Sequence, residues 1–285
     1  MKNLKIAIQK SGRLKEESLG LLKKCGINID NGKDQLKASA TNFPLEVYFL
    51  RNSDIPKYLE DGVVNLGIIG ENLLYELESE LQVIRQLGFS KCRVSIAVAK
   101  EQDVKDLSFF ENKKIATSYP NTTKRFFEEK GIKTDIHIIS GSVEIAPNIG
   151  LADGICDIVS SGSTLFKNGL KETDIILKSQ AVLVQGQSAD AEINALIEKL
   201  DFRIKAVLKA KSSKYILMNV PNEKINEVAS ILPVLKSPTI LPLAEPGWSS
   251  LHSVIDENDF WEVIDQLKNA GAEGILVSPI EKIIL

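Results

Sequence analysis

The sequence predicts an α/β protein with a two-lobed core and a smaller C-terminal domain. Over residues 1–185, short apolar runs that are typical of strands alternate with helical patterns. That rhythm predicts mostly parallel sheets covered by helices. From about Lys211 the pattern changes to the order βαββαβ, which is typical of a ferredoxin-like sandwich.

The first lobe begins with three repeats of a strand followed by a helix. The helix after the first strand has Leu14, Leu21, Leu22 and Cys25 on or near one stripe, and Gly26 is placed to end it. The predicted strands are KIAIQ, LEVYFL and NLGIIG, and the predicted helices are ESLGLLKKCG, IPKYLEDG and ENLLYELE.

A second lobe follows, beginning near the strand RVSIAVA at residues 93–99. Its further segments are KKIATSYPNTTKRFFEEKGI, IHIISG, VEIAPNIGLADG and ICDIVSSG. IILKSQAVLVQ and the helix AEINALIEKLDFRIKAVL then return the chain to the first lobe. Two α/β lobes joined by crossing strands enclose a cleft where small ligands bind. This is a periplasmic-binding-protein-like (type II) core. We assign residues 1–95 with 179–207 to lobe I, 96–178 to lobe II and 212–285 to the C-terminal domain.

The C-terminal domain is predicted to be ferredoxin-like and ACT-like. KYILMNV, SPTILPL, SLHSVID and EGILVSPI are the predicted strands. PNEKINEVASIL is a predicted helix capped by Asn222, and DFWEVIDQLKNAG is a second helix ended by Gly271. By analogy of fold alone, such a domain is often regulatory.

Composition excludes several classes of protein. The net charge of −3 and the scattered Lys and Arg residues argue against a nucleic-acid binder. No apolar stretch approaches the roughly 18 residues of a membrane span, and the run Ile6 to Ile8 is too short for a signal peptide. We therefore expect a cytoplasmic protein with no membrane partner. The three cysteines show no C-x-x-C spacing, so we expect them to pack rather than to bind zinc.

The segment SSGST, Ser160–Thr164, places small polar residues after a predicted strand and before a short predicted helix. Its backbone N–H groups and hydroxyls suit a phosphate. A flexible surface turn is the alternative. Asp153 and Asp157 flank the same strand, and carboxylates accept hydrogen bonds from sugar hydroxyls. Phosphate and diol together predict a ribose phosphate ligand.

GSVEIAPNIGLADGICDIVSSGSTLFKNGLKE, residues 141–172, resembles the 5-phosphoribosyl 1-pyrophosphate (PRPP) segment of the ATP phosphoribosyltransferase family, the first enzymes of histidine biosynthesis. Four further segments resemble that family in the same order: IAIQKSGRLKEESLGLLKKCGI, LRNSDIPKYLEDGVVNLGIIGENLL, KIATSYPNTTKRFFEEKGI and SPTILPLAEPGW. The resemblance spans nearly the whole chain. The C-terminal domain resembles that of the long form, which carries its own regulatory domain.

The resemblance implies that N1 of the ATP adenine ring is joined to C1 of PRPP with release of pyrophosphate. The implied catalytic residues are Arg13, Lys10, Glu144 and Asp157. The implied PRPP-binding residues are Asp153, Asp157, Ser160, Ser161, Gly162, Ser163 and Thr164. The implied ATP-binding residues are Lys10, Ser11, Gly12, Arg13, Arg51, Gly70, Glu71, Asn72 and Tyr119.

Several of these residues have a structural alternative. Lys10 and Arg13 are otherwise ordinary solvated charges, although a strand-to-helix turn favours function. Residues 70–72 either offer free amides to a ligand or simply cap a helix. Tyr119 either stacks on adenine or belongs to a turn, and Arg51 forms a local ion pair in its alternative role.

The family often has an acid where this chain has Asn65, so a charged role is not expected there. The two histidines, His137 and His252, lie outside the matched active-site segments, so a histidine base is not expected. Catalysis would depend on aligning two polyanions and stabilising an oxocarbenium-like ribose. The charge of ATP and PRPP implies Mg²⁺, held mainly by substrate phosphates rather than by the protein alone.

The resemblance also implies feedback inhibition by histidine and a homo-oligomer of dimers that reaches a hexamer. The implied histidine-binding residues are Asn219, Thr239, Gly274 and Ser278. Two other functions stay open from the sequence. One is a solute-binding module, which the two-lobed core also fits. The other is a protein active only as the regulatory partner of a separate catalytic chain.

Overall fold

The structure is a computed structural model that describes residues 2–30, 32, 35–187, 190–232 and 237–284. Met1 and Leu285, the outer ends of the predicted domains, lie outside the described residues. The chain forms two compact units, residues 1–23 with 27–197 and residues 24–26 with 198–285. The boundaries of the two lobes, 1–95 with 179–207 and 96–178, stay a prediction.

The first unit is built from strands β1 to β11 and helices α1 to α5, and α6 begins in it and continues into the second unit. The strands are Leu4–Gln9, Lys37–Ser39, Leu45–Leu50, Leu66–Gly70, Gln82–Gln86, Cys92–Ala99, Lys114–Thr117, Asp135–Ile138, Gly154–Val159, Leu170–Ser179 and Ala181–Gln185. The helices α1 to α6 are Arg13–Lys24, Ile55–Glu60, Glu71–Leu77, Pro120–Glu129, Ser163–Lys167 and Ala191–Ser212.

Lobe I contains a six-stranded sheet in the order β2-β3-β1-β4-β11-β5. β1 runs parallel to both β3 and β4, with Ile8 opposite Phe49 and Ile68. These three strands are apolar because helices cover both faces of the sheet, and Ile8, Phe49 and Ile68 are all essentially buried. The carboxyl ends of β1, β3 and β4 therefore meet at one edge.

Lobe II contains a five-stranded sheet in the order β10-β6-β9-β7-β8. β7 is parallel to both β8 and β9, while β6 is antiparallel to β9 and β10. Apolar layers cover both faces of this sheet. Phe110, Phe127 and Ile115 lie in one layer, and Val143 and Ile155 lie in the other.

The chain crosses between the lobes twice, and the two crossing segments are hydrogen bonded to each other. Leu87 N donates to Ala181 O, and Ala181 N donates to Phe89 O, both at 2.9 Å. One segment joins β5 to β6, and the other joins β10 to β11. This pairing gives the two-lobed core that the sequence predicts.

The second unit continues from α6 into β12 to β15 and α7 and α8. The strands are Ser213–Pro221, Thr239–Pro242, Trp248–Asp256 and Glu273–Pro279, and the helices are Ile225–Ile231 and Glu257–Asn269. The sheet order β13-β14-β12-β15 is antiparallel throughout. Its core includes Ile216, Met218, Val228, Leu251 and Leu267. The chain order βαββαβ confirms the ferredoxin-like prediction.

One predicted cap in this unit is wrong. α7 begins at Ile225, after a 3-10 turn at Asn222–Lys224. The side-chain oxygen of Asn222 accepts a hydrogen bond from Ser249 Oγ at 2.7 Å. Asn222 therefore ties the start of the turn to β14 instead of capping a helix. Across the described residues, none of the helices is long and apolar enough to cross a membrane.

Candidate active site between the lobes

Most of the predicted site residues lie where parallel strands end. In lobe I, residues 10–13 follow β1, Arg51 follows β3, and residues 70–72 are the last residue of β4 and the first two of α3. In lobe II, Tyr119 follows β7 and Ser160–Thr164, the SSGST loop, follows β9. Ligands of open α/β sheets bind outside the carboxyl ends of the strands, and both lobes present residues at such an edge.

Arg13 joins the two lobes at these edges. Its Nη1 donates to Ser160 Oγ at 3.0 Å, and its Nη2 donates to Lys91 O at 3.3 Å. Glu17, one helical turn further along α1, has a carboxylate oxygen 3.7 Å from Nε. The Arg13 side chain remains 54% exposed, so its guanidinium is fixed yet accessible to a ligand. The structure thus brings QKSGRL and the SSGST loop together.

The SSGST loop changes direction at Gly162, where φ is +80°, a value that favours glycine. Gly162 directly precedes α5. Ser161 Oγ donates to Ser163 Oγ at 3.0 Å and accepts a longer bond from Ser163 N at 3.4 Å. Because the first N–H groups of a helix have no acceptor within it, that of Thr164 can donate to an anion, and that of Ser163 can exchange its long bond to Ser161 Oγ for one.

Arg93 was not predicted from the sequence, and it binds the backbone of the SSGST loop. It lies in β6 opposite Val159. Its Nη1 donates to Ser160 O at 3.1 Å. Its Nε donates to both carboxylate oxygens of Glu172 at 2.8 and 2.9 Å, and Nη2 lies 2.7 Å from one of them. The hydrogen bonds to Glu172 raise the pKa of Arg93, so the guanidinium stays charged.

Asp157 and Glu144 form an acidic pair beside the loop. Burial raises the pKa of the Asp157 carboxyl above its usual value, and the negative charge of Glu144 raises it further. The Ile158 N–H, which donates to Asp157 Oδ1 at 2.7 Å, acts in the opposite direction. Among the described residues, no group of three or more His, Cys, Asp or Glu could hold a metal ion.

Tyr119 is half-buried next to this acidic pair. Burial raises the pKa of its phenol well above the usual value, and the charge of Asp157 adds to that effect. The ring is therefore neutral at physiological pH. Its backbone is fixed, because Tyr119 N donates to Thr117 Oγ1 at 2.8 Å and Tyr119 O accepts from Thr123 N at 3.0 Å. A neutral aromatic ring on a fixed backbone suits stacking with a purine.

The prediction of free amides at residues 70–72 is wrong for two of the three. Glu71 N donates to Gln180 O at 2.9 Å, and Asn72 N donates to Ser179 Oγ at 3.0 Å. Ser179 Oγ in turn donates to Asn72 Oδ1 at 2.9 Å. A Cβ at Gly70 would lie 2.4 Å from Asn72 Oδ1, so the glycine allows this close approach. The segment anchors β4 to the second crossing segment.

The remaining ATP-site residues are exposed at the lobe I edge. Lys10, Ser11, Gly12 and Arg51 have exposed side chains or backbone there. Lys10 N donates to Leu50 O at 2.8 Å, which holds the QKSGRL turn against the end of β3. Their contact with ATP stays a prediction.

Asp153 does not lie with the loop. It precedes β9, whereas the SSGST loop follows that strand. At about 3.3 Å per residue the two are about 20 Å apart, which is farther than a ribose phosphate reaches. The Asp153 carboxylate accepts from Lys114 N at 2.9 Å and lies 3.4 Å from Lys113 Nζ. The predicted role of Asp153 in PRPP binding is therefore wrong, and its carboxylate instead holds the start of β7.

Asn65 also has a structural role. Its side-chain oxygen accepts a hydrogen bond from Lys5 N at 2.9 Å, which joins the start of β4 to β1. A neutral amide satisfies this bond, so no acid is needed at the position.

Within one chain, the four predicted histidine-binding residues do not form a tight cluster. A Cβ at Gly274 would lie 3.2 Å from Asn219 Nδ2, so those two are neighbours. Thr239 is on β13, three strands away from β15, or about 14 Å at normal strand spacing. Ser278 pairs with Tyr215, four residues and about 13 Å along β12 from Asn219. Histidine binding by these four residues therefore stays a prediction, with Asn219 and Gly274 as its neighbouring pair.

Comparison with known protein families matches two consecutive family models. The model "HisG: ATP phosphoribosyltransferase" matches residues 51–206, and "HisG, C-terminal domain" matches residues 210–282. A complex of ATP phosphoribosyl transferase (HisG:HisZ) from Thermotoga maritima contains a chain with a similar structure. It aligns with a TM-score of 0.60 and 32% sequence identity, over 71% of this chain and 98% of that one.

Full-length relatives are more similar. ATP phosphoribosyltransferase of Cytophaga hutchinsonii is 56% identical over 281 residues, which cover 99% of this chain and 98% of the relative. ATP phosphoribosyltransferase of Phocaeicola vulgatus is 52% identical over 282 residues, which cover 99% of this chain and 100% of the relative. The chain thus belongs to the ATP phosphoribosyltransferase family of histidine biosynthesis, as a pentosyltransferase (EC 2.4.2.17) of the long form that carries its own C-terminal domain.

Proposed function

We propose that the protein transfers the 5-phosphoribosyl group of PRPP to N1 of ATP. The observation that carries the proposal is the hydrogen bond from Arg13 to Ser160, which joins the QKSGRL turn of lobe I to the SSGST loop of lobe II. A cation in contact with a phosphate-type loop, across a cleft, is suited to a reaction between two polyanionic substrates.

The SSGST loop binds the 5-phosphate of PRPP in this proposal. The N–H groups near Gly162 and the hydroxyls of Ser160, Ser161, Ser163 and Thr164 supply donors without a lysine. Asp157 and Glu144 accept hydrogen bonds from the ribose hydroxyls. With the phosphate bound by the loop and the hydroxyls bound by the two acids, the ribose would lie at the carboxyl end of β9.

The chemical step forms one bond and breaks one bond. The lone pair of adenine N1 attacks C1 of the ribose, the bond from C1 to the pyrophosphate oxygen breaks, and its electron pair leaves with pyrophosphate. N1 carries no proton, so no general base is needed for the attack. Arg13 stabilises the negative charge that develops on the departing oxygen. Asp157 and Glu144 stabilise the positive charge on the ribose.

ATP lies against the lobe I edge and Tyr119. Lys10 and Arg51 are exposed where β1 and β3 end, and they meet triphosphate oxygens. Tyr119 stacks on the adenine ring, which orients N1 toward the ribose. Residues 70–72 support this edge through their bonds to the crossing segment and do not bind ATP with their amides.

Mg²⁺ fits this site as an ion that binds together with the substrate phosphates. Asp157 and Glu144 present carboxylate oxygens, the donors that Mg²⁺ prefers, and Glu144 lies close enough for its charge to raise the pKa of Asp157. They form too small a set to hold the ion alone, so the substrate phosphates and water supply the other ligands. When bound, the ion neutralises charge on the pyrophosphate leaving group.

The test is turnover by the purified full chain. With ATP, PRPP and Mg²⁺ together, we expect pyrophosphate release and a new near-ultraviolet absorbance from the modified adenine. Reactions that lack any one of the three serve as controls. A solute-binding module would bind without releasing pyrophosphate, and a purely regulatory subunit would need a second chain, so either result would reject the proposal.

Regulation by histidine is the second part of the proposal. The neighbouring Asn219 and Gly274 offer an amide side chain and an accessible backbone, which can pair with the charged groups of an amino acid. Histidine binding there would weaken substrate binding by a coupling free energy of about 1 to 3 kcal/mol. Titrating histidine into the turnover assay tests it. Inhibition that is absent at all histidine concentrations would refute this part.

The proposed assembly is a homo-oligomer of dimers that reaches a hexamer, as the family resemblance implies. Sedimentation velocity of the purified chain, with and without histidine, measures it directly. A monomer at micromolar concentration would contradict this proposal without affecting the proposed reaction.

A further inference from the structure

We infer that Glu76, a buried acid of α3, is a positioning residue that fixes the amino end of α4 and, through it, Tyr119. α3 belongs to lobe I and α4 to lobe II. The inference deepens the proposed function and rests on it, because Tyr119 is the residue proposed to stack on adenine. Glu76 itself touches no substrate in this scheme.

The Glu76 carboxylate is shared between two consecutive amides of lobe II. Its Oε1 accepts from Asn121 N at 3.1 Å, and its Oε2 accepts from Thr122 N at 2.9 Å. The Asn121 side chain returns a third bond, from Nδ2 to Glu76 O at 3.0 Å. These amides lie in the first turn of α4, where no acceptor exists within the helix, so the acid from the other lobe satisfies them.

The environment of Glu76 makes this contact hard to break. The residue is 7% exposed. Within the described residues, no Lys or Arg forms an ion pair with it, so the amides of Asn121 and Thr122 and the positive end of the α4 dipole balance its charge. Separation of the two helices would leave a buried carboxylate without donors, which is strongly unfavourable.

The same turn determines where Tyr119 lies. Tyr119 directly precedes Pro120, the first residue of α4, and is the N-cap residue of that helix. Its carbonyl accepts from Thr123 N at 3.0 Å and from Thr123 Oγ1 at 2.7 Å. A shift of Asn121 and Thr122 would therefore carry the Tyr119 backbone with it.

A second contact holds α3 and α4 together farther along. Arg125 Nη1 donates to Glu78 Oε1 at 3.0 Å, and Nη2 donates to Tyr75 O. The guanidinium also lies 4.1 Å from the centre of the Tyr75 ring. Because this contact is independent of Glu76, a Glu76 variant can loosen the first turn of α4 without separating the helices.

The experiment compares Glu76→Gln with Glu128→Gln in the full chain. Glu128 lies near the end of α4 and is exposed, so its variant removes one negative charge without touching the first turn of that helix. Without substrates, we expect the amides of Asn121 and Thr122 to exchange hydrogen about tenfold faster in Glu76→Gln, the size expected for loss of a charged hydrogen-bond partner. In Glu128→Gln their exchange should be unchanged.

Kinetics then test the link to Tyr119. Glu76→Gln should raise the KM for ATP about tenfold while the KM for PRPP and kcat change less than about twofold, which indicates lost ground-state binding of one substrate. Faster exchange with an unchanged KM for ATP would overturn the inference. So would an equal loss for both substrates. If the wild-type chain showed no turnover, the proposed function would fail while the exchange result still stood.

Asn121→Ala is a milder variant in case Glu76→Gln does not fold. It removes only the bond from Asn121 Nδ2, and its side chain is exposed. We expect a smaller rise, of about threefold, in the KM for ATP, which corresponds to a net hydrogen bond of ordinary strength. No change in that KM, with exchange at Thr122 also unchanged, would refute the positioning role.

Discussion

The hydrogen bonds of Arg93 give the sharpest test of how the phosphate loop is held. Arg93→Met keeps the length and apolar stem of the side chain but removes the guanidinium. The bond to Ser160 O has a charged donor but is exposed to solvent, so we take its contribution as about 1 kcal/mol. The ion pair with Glu172 is neither fully exposed nor fully buried, at 30% and 23% side-chain exposure. It should therefore contribute slightly more than the 0 to about 1 kcal/mol of a surface pair.

The two contributions should appear in different measurements. Loss of the loop bond should raise the KM for PRPP about fivefold, because about 1 kcal/mol corresponds to that factor. The KM for ATP should change little. Loss of the ion pair, about 1 to 2 kcal/mol, should lower Tm by about 2 to 8 °C in a unit of this size. Steady-state kinetics and a thermal melt of the same preparation give both numbers.

Glu172→Gln is the matched control. It removes the charge but leaves the Arg93 guanidinium free to donate to Ser160 O. We expect it to lower Tm without a comparable rise in the KM for PRPP. The double variant should show a coupling free energy between the two positions, since they are in direct contact. If Arg93→Met lowered Tm yet left the KM for PRPP unchanged, the loop would be held by other contacts and the reasoning would be wrong.

Four further changes test the site and its regulation. Gly162→Val forces a branched side chain to φ of +80° and should raise the KM for PRPP far more than that for ATP; equal losses would reject the loop assignment. Arg13→Ala should remove about 2 to 4 kcal/mol of transition-state stabilisation, and near-normal kcat/KM would reduce Arg13 to a surface charge. Because the pKa of Asp157 is raised in the folded protein, the wild type loses stability as the pH rises through that folded-state pKa. Asp157→Asn should therefore raise Tm at pH 7, although it should abolish most turnover. If the variant and the wild type had the same pH dependence of Tm, this reasoning would be contradicted. Asn219→Ala should weaken histidine inhibition, measured as the concentration for half inhibition, more than Thr239→Ala, which lies on the far strand; the reverse order would move the site.

The sequence predicted features that are set locally. The strands of both lobes are recognisable because apolar runs alternate with helical stripes, and Gly26 and Gly162 mark turns with positive φ. β2 and β5 escaped prediction. The first has only three residues, and the second, QVIRQ, is a partly exposed edge strand without a continuous apolar run.

Features set by tertiary contacts were not predictable in the same way. Arg93 and Glu172 are 79 residues apart in the sequence. Glu76 accepts hydrogen bonds from Asn121 and Thr122, which are 45 and 46 residues away from it. Nothing in the local pattern distinguishes such charges from solvated ones. Residues 70–72 were misjudged for a related reason, because a strand-to-helix turn has the same sequence whether its amides are free or bonded to a crossing segment.

The two aspartates around β9 show how position along a strand separates structure from function. Asp153 and Asp157 look equivalent in sequence, yet only Asp157 is near the end of the strand that the SSGST loop follows. Asp153 has cationic and amide partners, whereas Asp157 is partly buried beside a second acid. Burial of a carboxylate next to a like charge disfavours the folded protein at neutral pH. Such an arrangement is stabilised when a ligand brings hydroxyl donors and positive charge to it, and on the proposed function the ribose of PRPP and its Mg²⁺ supply both.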